Sequence, residues 1–293
     1  MAGFSIRGTK FPARTLESGL YVVATPIGHL GDITIRALET LASVSIVACE
    51  DTRVSGKLLK HFDISTKMQA YHEHNANIAG PRLLAMIRQG GNVALITDAG
   101  TPVISDPGHR LVQEARAQAI AVWPVPGASA PIAALSASGM PSEAFLFSGF
   151  LPSRQLARRS RLRELRAVPA TLVFFESPNR LAKALKDISA EFGETREVAI
   201  CREITKFHEE FVRGPVGQLA IQYEEKSVKG EIVLLVAPPL PEHVVDLDTL
   251  LAELLQRMSV SEAAGEAAAI TGQPRRGLYA RALELVKAGF GEP

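Results

Sequence analysis

The segment that most limits the fold of this chain is residues 95–108, with the sequence LITDAGTPVISDPG. The apolar run at 93–96 predicts a short buried strand, and the Gly- and Pro-containing loop behind it predicts a sharp change of direction. Asp106 is a good N-cap and Pro107 suits the first helical position, so we predict that a helix begins there. This order places Asp98 at the carboxyl end of the strand, where open α/β sheets bind ligands. The alternative is a tight crossover loop that binds nothing.

Short apolar runs alternate with helical patterns along the first half of the chain, which predicts an α/β fold. The predicted strands are residues 20–24, 45–48, 67–71, 93–96 and 120–124. Polar or glycine-rich turns end four of these strands, after Ala24, Ala48, Ile96 and Trp123. If the sheet is mostly parallel, the four turns meet at one edge, and we expect a single site there.

The segment 137–142 (ASGMPS) interrupts this pattern and is typical of an interdomain linker. A second α/β unit follows, with predicted strands at 144–147, 171–175, 197–201, 210–213 and 231–236 and helices near 154–166, 179–190 and 215–223. The proline-rich run 238–241 ends this unit, and the remaining residues have helical periodicity with a capping box at Ser259 and Glu262. We therefore predict a loose N-terminal tail at 1–18, α/β domains at 19–140 and 141–240, and a helix-turn-helix-like extension at 241–293.

The composition indicates a globular protein with ample material for its cores, since 46% of the residues are hydrophobic. The net charge of +1 favours no class of partner, so a nucleic-acid partner has to be argued from local patches. Cys49 and Cys201 stand alone, which favours the reducing cytoplasm over a disulfide framework. No apolar run approaches the ~18–20 residues of a membrane span. We expect a cytoplasmic protein without membrane contact.

Several common site types do not fit the sequence. Gly28 and Gly31 form no dinucleotide fingerprint because Pro26 stands where the first glycine belongs, and residues 51–58 lack the Gly and Ser/Thr of a Walker A loop. The HEH sequence at 72–74 has no further ligand at metal-site spacing, so we predict an exposed polar loop and no metal. No GxSxG nucleophile elbow occurs.

Two regions are rich in arginine. The predicted helix 154–166 carries six arginines, with Glu164 as the only acid inside the run, so ion-pair partners look scarce. Two further arginines open the last helix of the C-terminal extension. Because arginine binds phosphate with two parallel hydrogen bonds, these side chains are candidate RNA contacts. The candidates are Arg158, Arg159, Arg163, Arg275 and Arg276. The alternatives are a solvated helix face and a helical cap on the second domain.

Five segments together resemble the tetrapyrrole-methylase superfamily. They are residues 24–32 (ATPIGHLGD), 50–53 (EDTR), 97–108 (TDAGTPVISDPG), 125–129 (VPGAS) and 174–180 (FFESPNR). Their order and detail resemble most closely the ribosomal branch of that superfamily, which methylates a cytidine 2′-oxygen in small-subunit (16S) ribosomal RNA. The resemblance extends over residues 20–238, with a similar helical extension beyond.

The resemblance implies two αβα domains, S-adenosylmethionine held between them, a homodimer, and the small ribosomal subunit or its RNA as partner. By the family pattern, the residues at the methionine end of the cofactor are Gly100, Thr101, Val103 and Ile104, with Ser129 and Ala130 beside them. Phe175 and Glu176 are expected near the adenosine. The first loop follows the ribosomal branch, so Thr25, Pro26 and Gly28 are expected to face substrate, as is Arg53.

The implied reaction is in-line transfer of a methyl group from a sulfonium to a ribose 2′-oxygen, which needs positioning, desolvation and removal of the hydroxyl proton. The acids predicted at the sheet edge are Glu50, Asp51 and Asp98, and any of them is a candidate base. Lys206 is a candidate for holding a phosphate or the developing oxyanion. Structural roles as caps and ion pairs are the alternative for all four.

Two other functions remain open from the sequence. One is a tetrapyrrole or other small-molecule methyltransferase on the same fold, since a fold does not determine its function. The other is a non-enzymatic RNA-binding module. The arginine-rich helix and the helical extension favour the ribosomal function over the first alternative, and the acidic loops favour an enzyme over the second.

Overall fold

The computed structural model describes residues 3–239 and 247–289. The chain forms two compact units, residues 1–238 and 239–293. No helix within these described ranges is both long enough and apolar enough to cross a membrane.

The N-terminus begins with a β-hairpin of β1 (Gly3–Ile6) and β2 (Thr9–Pro12). Phe4 is buried in the core of the first domain and stacks on Phe11 with ring centroids 5.3 Å apart. The Ser5 amide also donates to the Phe62 carbonyl at 2.8 Å. The prediction of a loose tail over 1–18 is therefore wrong for this hairpin, because one buried aromatic ring and a backbone bond hold it to the domain.

The first domain is built on a five-stranded sheet with the order β5-β4-β6-β3-β7. All of its strand pairs are parallel, as the alternation of strands and helices predicts. The strands are β3 (Gly19–Val23), β4 (Ile46–Cys49), β5 (Met68–Ala70), β6 (Asn92–Ile96) and β7 (Val122–Val125). Successive side chains of β6 enter two different cores: Val93 and Leu95 lie in one, and Ala94 and Ile96 in the other. Helices cover both faces, which explains the continuous apolar runs.

The helices of this domain are α1 (Ile35–Ser43), α2 (Thr52–His61), α3 (Ala76–Arg88), α4 (His109–Ala117) and α5 (Ala130–Ala137). Helix α4 begins later than predicted. Its N-cap is Gly108 at φ 130°, a conformation that L side chains rarely adopt, and a Cβ there would lie 2.7 Å from the Leu95 side chain. Asp106 and Pro107 therefore precede the helix, and the prediction that Asp106 is its N-cap is wrong.

The second domain contains a five-stranded sheet with the order β11-β10-β12-β9-β8. Only β8 and β9 pair in parallel; the other neighbours are antiparallel. The elements are β8 (Phe145–Phe150), α6 (Gln155–Leu165), β9 (Thr171–Glu176), α7 (Pro178–Phe192), β10 (Glu197–Arg202), β11 (Glu210–Pro215), α8 (Val216–Tyr223) and β12 (Ile232–Val236).

Helix α5 joins the two domains. Side chains on one face of the second sheet, such as Phe174 and Leu234, pack with α7 and α8. On the other face, Val233 and its neighbours form a core with Ala134 and Leu135 of α5. The two domains therefore share one apolar core, and the spacing between their sheets is set by packing.

The C-terminal unit consists of α9 (Leu247–Leu255), α10 (Val260–Thr271) and α11 (Arg275–Lys287) around a core of its own. Ser259 and Glu262 form the predicted capping box at the start of α10. The last two residues of the predicted proline-rich run (240–241), together with 1–2, 242–246 and 290–293 of the predicted tail and extension, lie outside the described residues.

Candidate active site

A cavity of about 400 Å³ lies between the two domains. In the first domain it is lined by the turns that follow β3, β4, β6 and β7, including Ile27, Glu50, Thr97 and Ser129. These are the four turns predicted to meet at one sheet edge, and they do meet. The second domain contributes residues at or just beyond the ends of β8, β9, β10 and β12.

The structure brings nine of the predicted site residues into the wall of this cavity. They are Glu50, Asp98, Gly100, Thr101, Ile104, Ser129, Ala130, Phe175 and Glu176. Val103 is not in the wall, because its side chain packs against the core of the first domain. Its predicted place at the methionine end of the cofactor stays a prediction.

The loop at Gly100 is held by a two-hydrogen-bond bridge to Thr25. The Thr25 amide donates to the Gly100 carbonyl at 2.9 Å, and the Gly100 amide donates to the Thr25 carbonyl at 3.1 Å. Gly100 has φ +84°, and a Cβ there would lie 3.3 Å from the Ile27 side chain. Glycine thus supplies the backbone conformation and leaves the cavity open.

The first loop faces inward more than the sequence predicts. The Thr25 hydroxyl is buried and donates to the Thr97 carbonyl at 3.1 Å, and Pro26 is buried as well. Neither residue lines the cavity, and their predicted contact with substrate stays a prediction. Gly28 is exposed and packs closely against Thr205 and Lys206 of the second domain.

Asp51 has a structural role. It is the N-cap of α2, accepting from the Arg53 amide at 2.8 Å, and it pairs with the Arg53 guanidinium at 2.6 Å. The hydrogen bonds from the Arg53 side chain and amide lower the pKa of Asp51 to about 2. A carboxylate of such low basicity is a weak proton acceptor at neutral pH. Arg53 is in turn neutralised by Asp51, although its side chain stays exposed.

The sequence-based prediction missed Asp106, which lies in the cavity wall. Burial raises the pKa of its carboxyl to about 6; the nearby charges of Glu50 and Asp98 act in the same direction, and a hydrogen bond from Thr97 opposes them. Burial also raises the pKa of Asp98, which accepts a 3.3 Å hydrogen bond from the Asp51 amide. From the sequence, Asp106 is assigned to a helix cap, because an aspartate before a proline is typical of a helix start, and so it is not considered as a site residue.

Lys206 lies just outside the wall. Its ammonium pairs with Glu203 and with Glu231, each at 3.0 Å, and Glu231 itself lines the cavity. The pKa of Lys206 is raised because these two carboxylates outweigh the opposing effect of its partial burial. With two acids already on this ammonium, the structure disfavours the predicted role as a phosphate or oxyanion ligand.

The second domain supplies an aromatic wall. Phe150 is exposed at the end of β8, and its ring centroid lies 5.5 Å from that of Phe175. An irregularity in the pairing of β8 with β9 between Phe147 and Phe150 includes Gly149 at φ +62°. The sequence contained this signal as a glycine inside a strand, which is typical of a bulge.

Glu176 ends the same wall. Its carboxylate is buried, accepts from the Ser177 amide at 2.8 Å and pairs with Arg180 at 3.1 Å. Burial raises the pKa of Glu176, and the Ser177 amide and the Arg180 charge oppose that shift.

The arginine-rich helix α6 is largely occupied with ion pairs. Arg158 is only 3% exposed and pairs with buried Asp187 at 2.7 Å. Arg159 and Arg163 share Glu191, at 2.5 and 3.0 Å. The prediction of scarce partners is wrong because the acids belong to α7, about thirty residues further along the chain. Arg158 is thereby removed from the candidate RNA contacts.

In the C-terminal unit the two candidate arginines differ. Arg275 donates to the backbone and hydroxyl oxygens of Ser261, both at 3.1 Å, and so ties α11 to α10. Arg276 is exposed and forms no ion pair within residues 3–239 and 247–289. Of the two, Arg276 is therefore the freer cation.

A family model described as Tetrapyrrole (Corrin/Porphyrin) Methylases matches residues 19–220. The chain belongs to this family. A second model, the RsmI C-terminal HTH domain, matches residues 241–286. Both matches agree with the family predicted from the five loops and with the helical extension.

Relatives that match nearly the whole chain identify a more specific group within this family. A protein of Mesorhizobium japonicum named ribosomal RNA small subunit methyltransferase I is 55% identical and covers 94% of this chain and 95% of the relative. A protein of the same name from Escherichia coli O157:H7 is 46% identical and covers 92% and 96%. This chain is thus a member of a methyltransferase family and groups with these proteins over nearly its whole length.

Solved structures show the same fold. The crystal structure of uroporphyrin-III-C-methyltransferase from Thermus thermophilus has a TM-score of 0.55 and 21% identity, and covers 75% of this chain and 94% of that one. Diphthine synthase has a TM-score of 0.58 and 16% identity, and covers 74% and 89%. The predicted tetrapyrrole-methylase fold is confirmed.

Proposed function

We propose that this protein transfers a methyl group from S-adenosylmethionine to the 2′-oxygen of a cytidine in small-subunit ribosomal RNA. The observation that carries the proposal is the 55% identity, over 94% of the chain, to a protein named ribosomal RNA small subunit methyltransferase I. The match of residues 241–286 to the C-terminal domain model supports the ribosomal function further. The two solved structures named above match only about three-quarters of this chain.

The residues of the cavity fit S-adenosylmethionine. Its volume of about 400 Å³ falls within the ~300–1,000 Å³ range of small-molecule sites. Phe150, Phe175 and Ile204 offer an apolar surface suited to an adenine ring. The carboxylates of Glu50 and Asp98 on the first-domain side suit the positive charge of a sulfonium. We propose that Gly100, Thr101, Ile104, Ser129 and Ala130 hold the methionine portion and that Phe175 and Glu176 hold the adenosine.

The bound cofactor would supply an activated methyl group, so the protein has to orient the ribose and accept its proton. Asp106 suits the second task. A carboxylate with a pKa of about 6 is ionised at neutral pH and still basic enough to accept a proton from a reacting hydroxyl. Glu50 and Asp98 keep the local field negative, which favours the protonated form of Asp106 and so makes its carboxylate a stronger base.

We propose further that the protein works as a cytoplasmic homodimer on ribosomal subunits. The edge strands of the two sheets carry exposed apolar side chains, Trp123 on β7 and Phe145 and Leu146 on β8. Exposed edges with apolar residues favour pairing with another chain. Sedimentation equilibrium should give twice the chain mass of 31.5 kDa, and a single-chain mass would remove this part of the proposal.

The decisive experiment uses labelled S-adenosylmethionine and small subunits isolated from a strain without the enzyme. We expect label in one cytidine, protected from alkaline hydrolysis at the next phosphodiester because the 2′-oxygen is blocked. Label on a base would refute 2′-oxygen chemistry. Label only on a tetrapyrrole offered in parallel would favour the small-molecule alternative, and cofactor-independent RNA binding alone would favour the non-enzymatic one.

A further inference from the structure

The connection between β10 and β11, residues 203–209, is a loop held in a defined conformation by internal hydrogen bonds. Two non-glycine residues adopt positive φ, Glu203 at 52° and Thr205 at 65°. The Thr205 amide donates to the Glu209 carboxylate at 2.7 Å, and the Lys206 amide donates to the Glu203 carbonyl at 2.9 Å. Positive φ costs free energy at such residues and persists where the surroundings enforce it, often at ligand sites.

This loop lies at the edge of the cavity and touches both domains. Ile204 lines the cavity wall. The Thr205 hydroxyl accepts from the His29 amide of the first domain at 3.1 Å. A Cβ on Gly28 would lie 2.6 Å from both the Thr205 hydroxyl and the Lys206 side chain. The position of the loop relative to the cavity is thus determined by contacts on both sides.

At the tip of this loop, Phe207 is 96% exposed. Its ring meets the ring of His208 edge to face, with centroids 5.0 Å apart. A phenylalanine ring stabilises a fold by removing apolar surface from water, and this exposed ring removes almost none. An aromatic ring held in water by an ordered loop, three residues from a cavity wall, has a free π face available to a ligand.

We propose that Phe207 stacks on an unpaired nucleobase of the RNA substrate and so guides the target ribose toward the cavity. The inference rests on the proposed function. Proteins recognise single-stranded RNA by stacking splayed bases on aromatic rings. The polar neighbours Lys206, His208 and Glu209 suit a base, which has an apolar face and polar edges, better than an apolar protein surface.

The test compares Phe207→Ala and Phe207→Trp with Ile221→Ala. Ile221 is a matched control because it is also an exposed apolar residue, at 76%, and lies on α8, which packs on the sheet face away from the first domain. We expect Phe207→Ala to weaken binding of small subunits by about 5- to 150-fold, Phe207→Trp to restore it, and Ile221→Ala to leave it unchanged. Calorimetry should show unchanged affinity for S-adenosylmethionine in all three.

Three results would overturn the inference. Equal subunit affinity for Phe207→Ala and Ile221→Ala, in enzymes that still methylate, would reject stacking and leave the proposed function intact. A change in oligomeric mass for Phe207→Ala would assign the ring to a second copy of the chain. A wild-type protein that neither binds nor methylates subunits would reject the proposed function, and the inference with it.

Discussion

Replacement of Asp106 by Asn is the most informative single change at this site. Asn has nearly the same shape as Asp, so the cavity should stay intact. It cannot accept a proton from a ribose hydroxyl. Loss of a general base reduces turnover by ~10²–10⁴-fold. We expect kcat to fall by that amount while the affinity for S-adenosylmethionine changes little.

The same change should make the protein more stable above pH 6. The folded-state pKa of Asp106 is raised from 3.8 to about 6, so the folded state binds more protons than the unfolded state between these values, and wild-type stability falls as pH rises through that window. A rise of this size corresponds to ~3 kcal/mol at ~1.4 kcal/mol per pH unit. Since Asp106 is only partly buried, solvent screening weakens this effect, and we expect Asp106→Asn to raise the free energy of unfolding by ~1–2 kcal/mol.

The assays are urea unfolding and kcat for subunit methylation, both measured from pH 4.5 to 8.5. In the wild-type protein, kcat should decline below about pH 6 as Asp106 takes up a proton. Asp106→Asn should lose this acidic limb of the kcat profile. Its gain in stability over the wild-type protein should reach its full size only above about pH 6. Asp51→Asn is the control: with a pKa of about 2, Asp51 stays ionised across this range, and the limb should persist. An unchanged limb in Asp106→Asn would refute the assignment.

Three more changes test other parts of the structure. Gly100→Val should abolish binding of S-adenosylmethionine, because a β-branched side chain resists φ +84° and would narrow the cavity; full affinity in calorimetry on a folded variant would contradict this. Arg158→Gln should lower the free energy of unfolding by ~3–5 kcal/mol, because it leaves buried Asp187 unpaired, whereas Arg159→Gln on the exposed side should cost below ~1 kcal/mol; equal losses in urea would contradict this. A chain ending at residue 239 should keep its cofactor affinity and lose most subunit turnover, and full turnover would assign the C-terminal unit a purely structural role.

The sequence predicts the elements of this fold well where the signal is local. Apolar runs bounded by Gly, Pro or acids located β6 and β9 to within one residue, because a buried parallel or central strand needs little else. The same reasoning brought Glu50 and Asp98 to one edge, since parallel strands align their carboxyl ends.

Two of the failures come from contacts between residues far apart in the chain. Phe4 is buried only because the hairpin folds back on the first domain. Arg158 looked free because Asp187 is on another helix. A third failure is local: Asp106 is predicted as the cap, whereas the helix begins after Gly108, where a Cβ would lie 2.7 Å from the Leu95 side chain. The periodicity of apolar residues along the sequence gives no information about which distant residues come into contact.

The shared core under α5 affects how the cavity receives its ligand. Ser129 and Ala130 line the cavity at the start of this helix, while Ala134 and Leu135, one turn later, lie in the core of the second sheet. The entropy of bringing the two walls together is therefore lost during folding, and a ligand meets a preorganised cleft. We expect distant core substitutions at Leu135 to alter ligand affinity by changing the width of the cleft. In this protein, one alanine-rich helix both packs the two domains together and forms part of the wall that a ligand contacts.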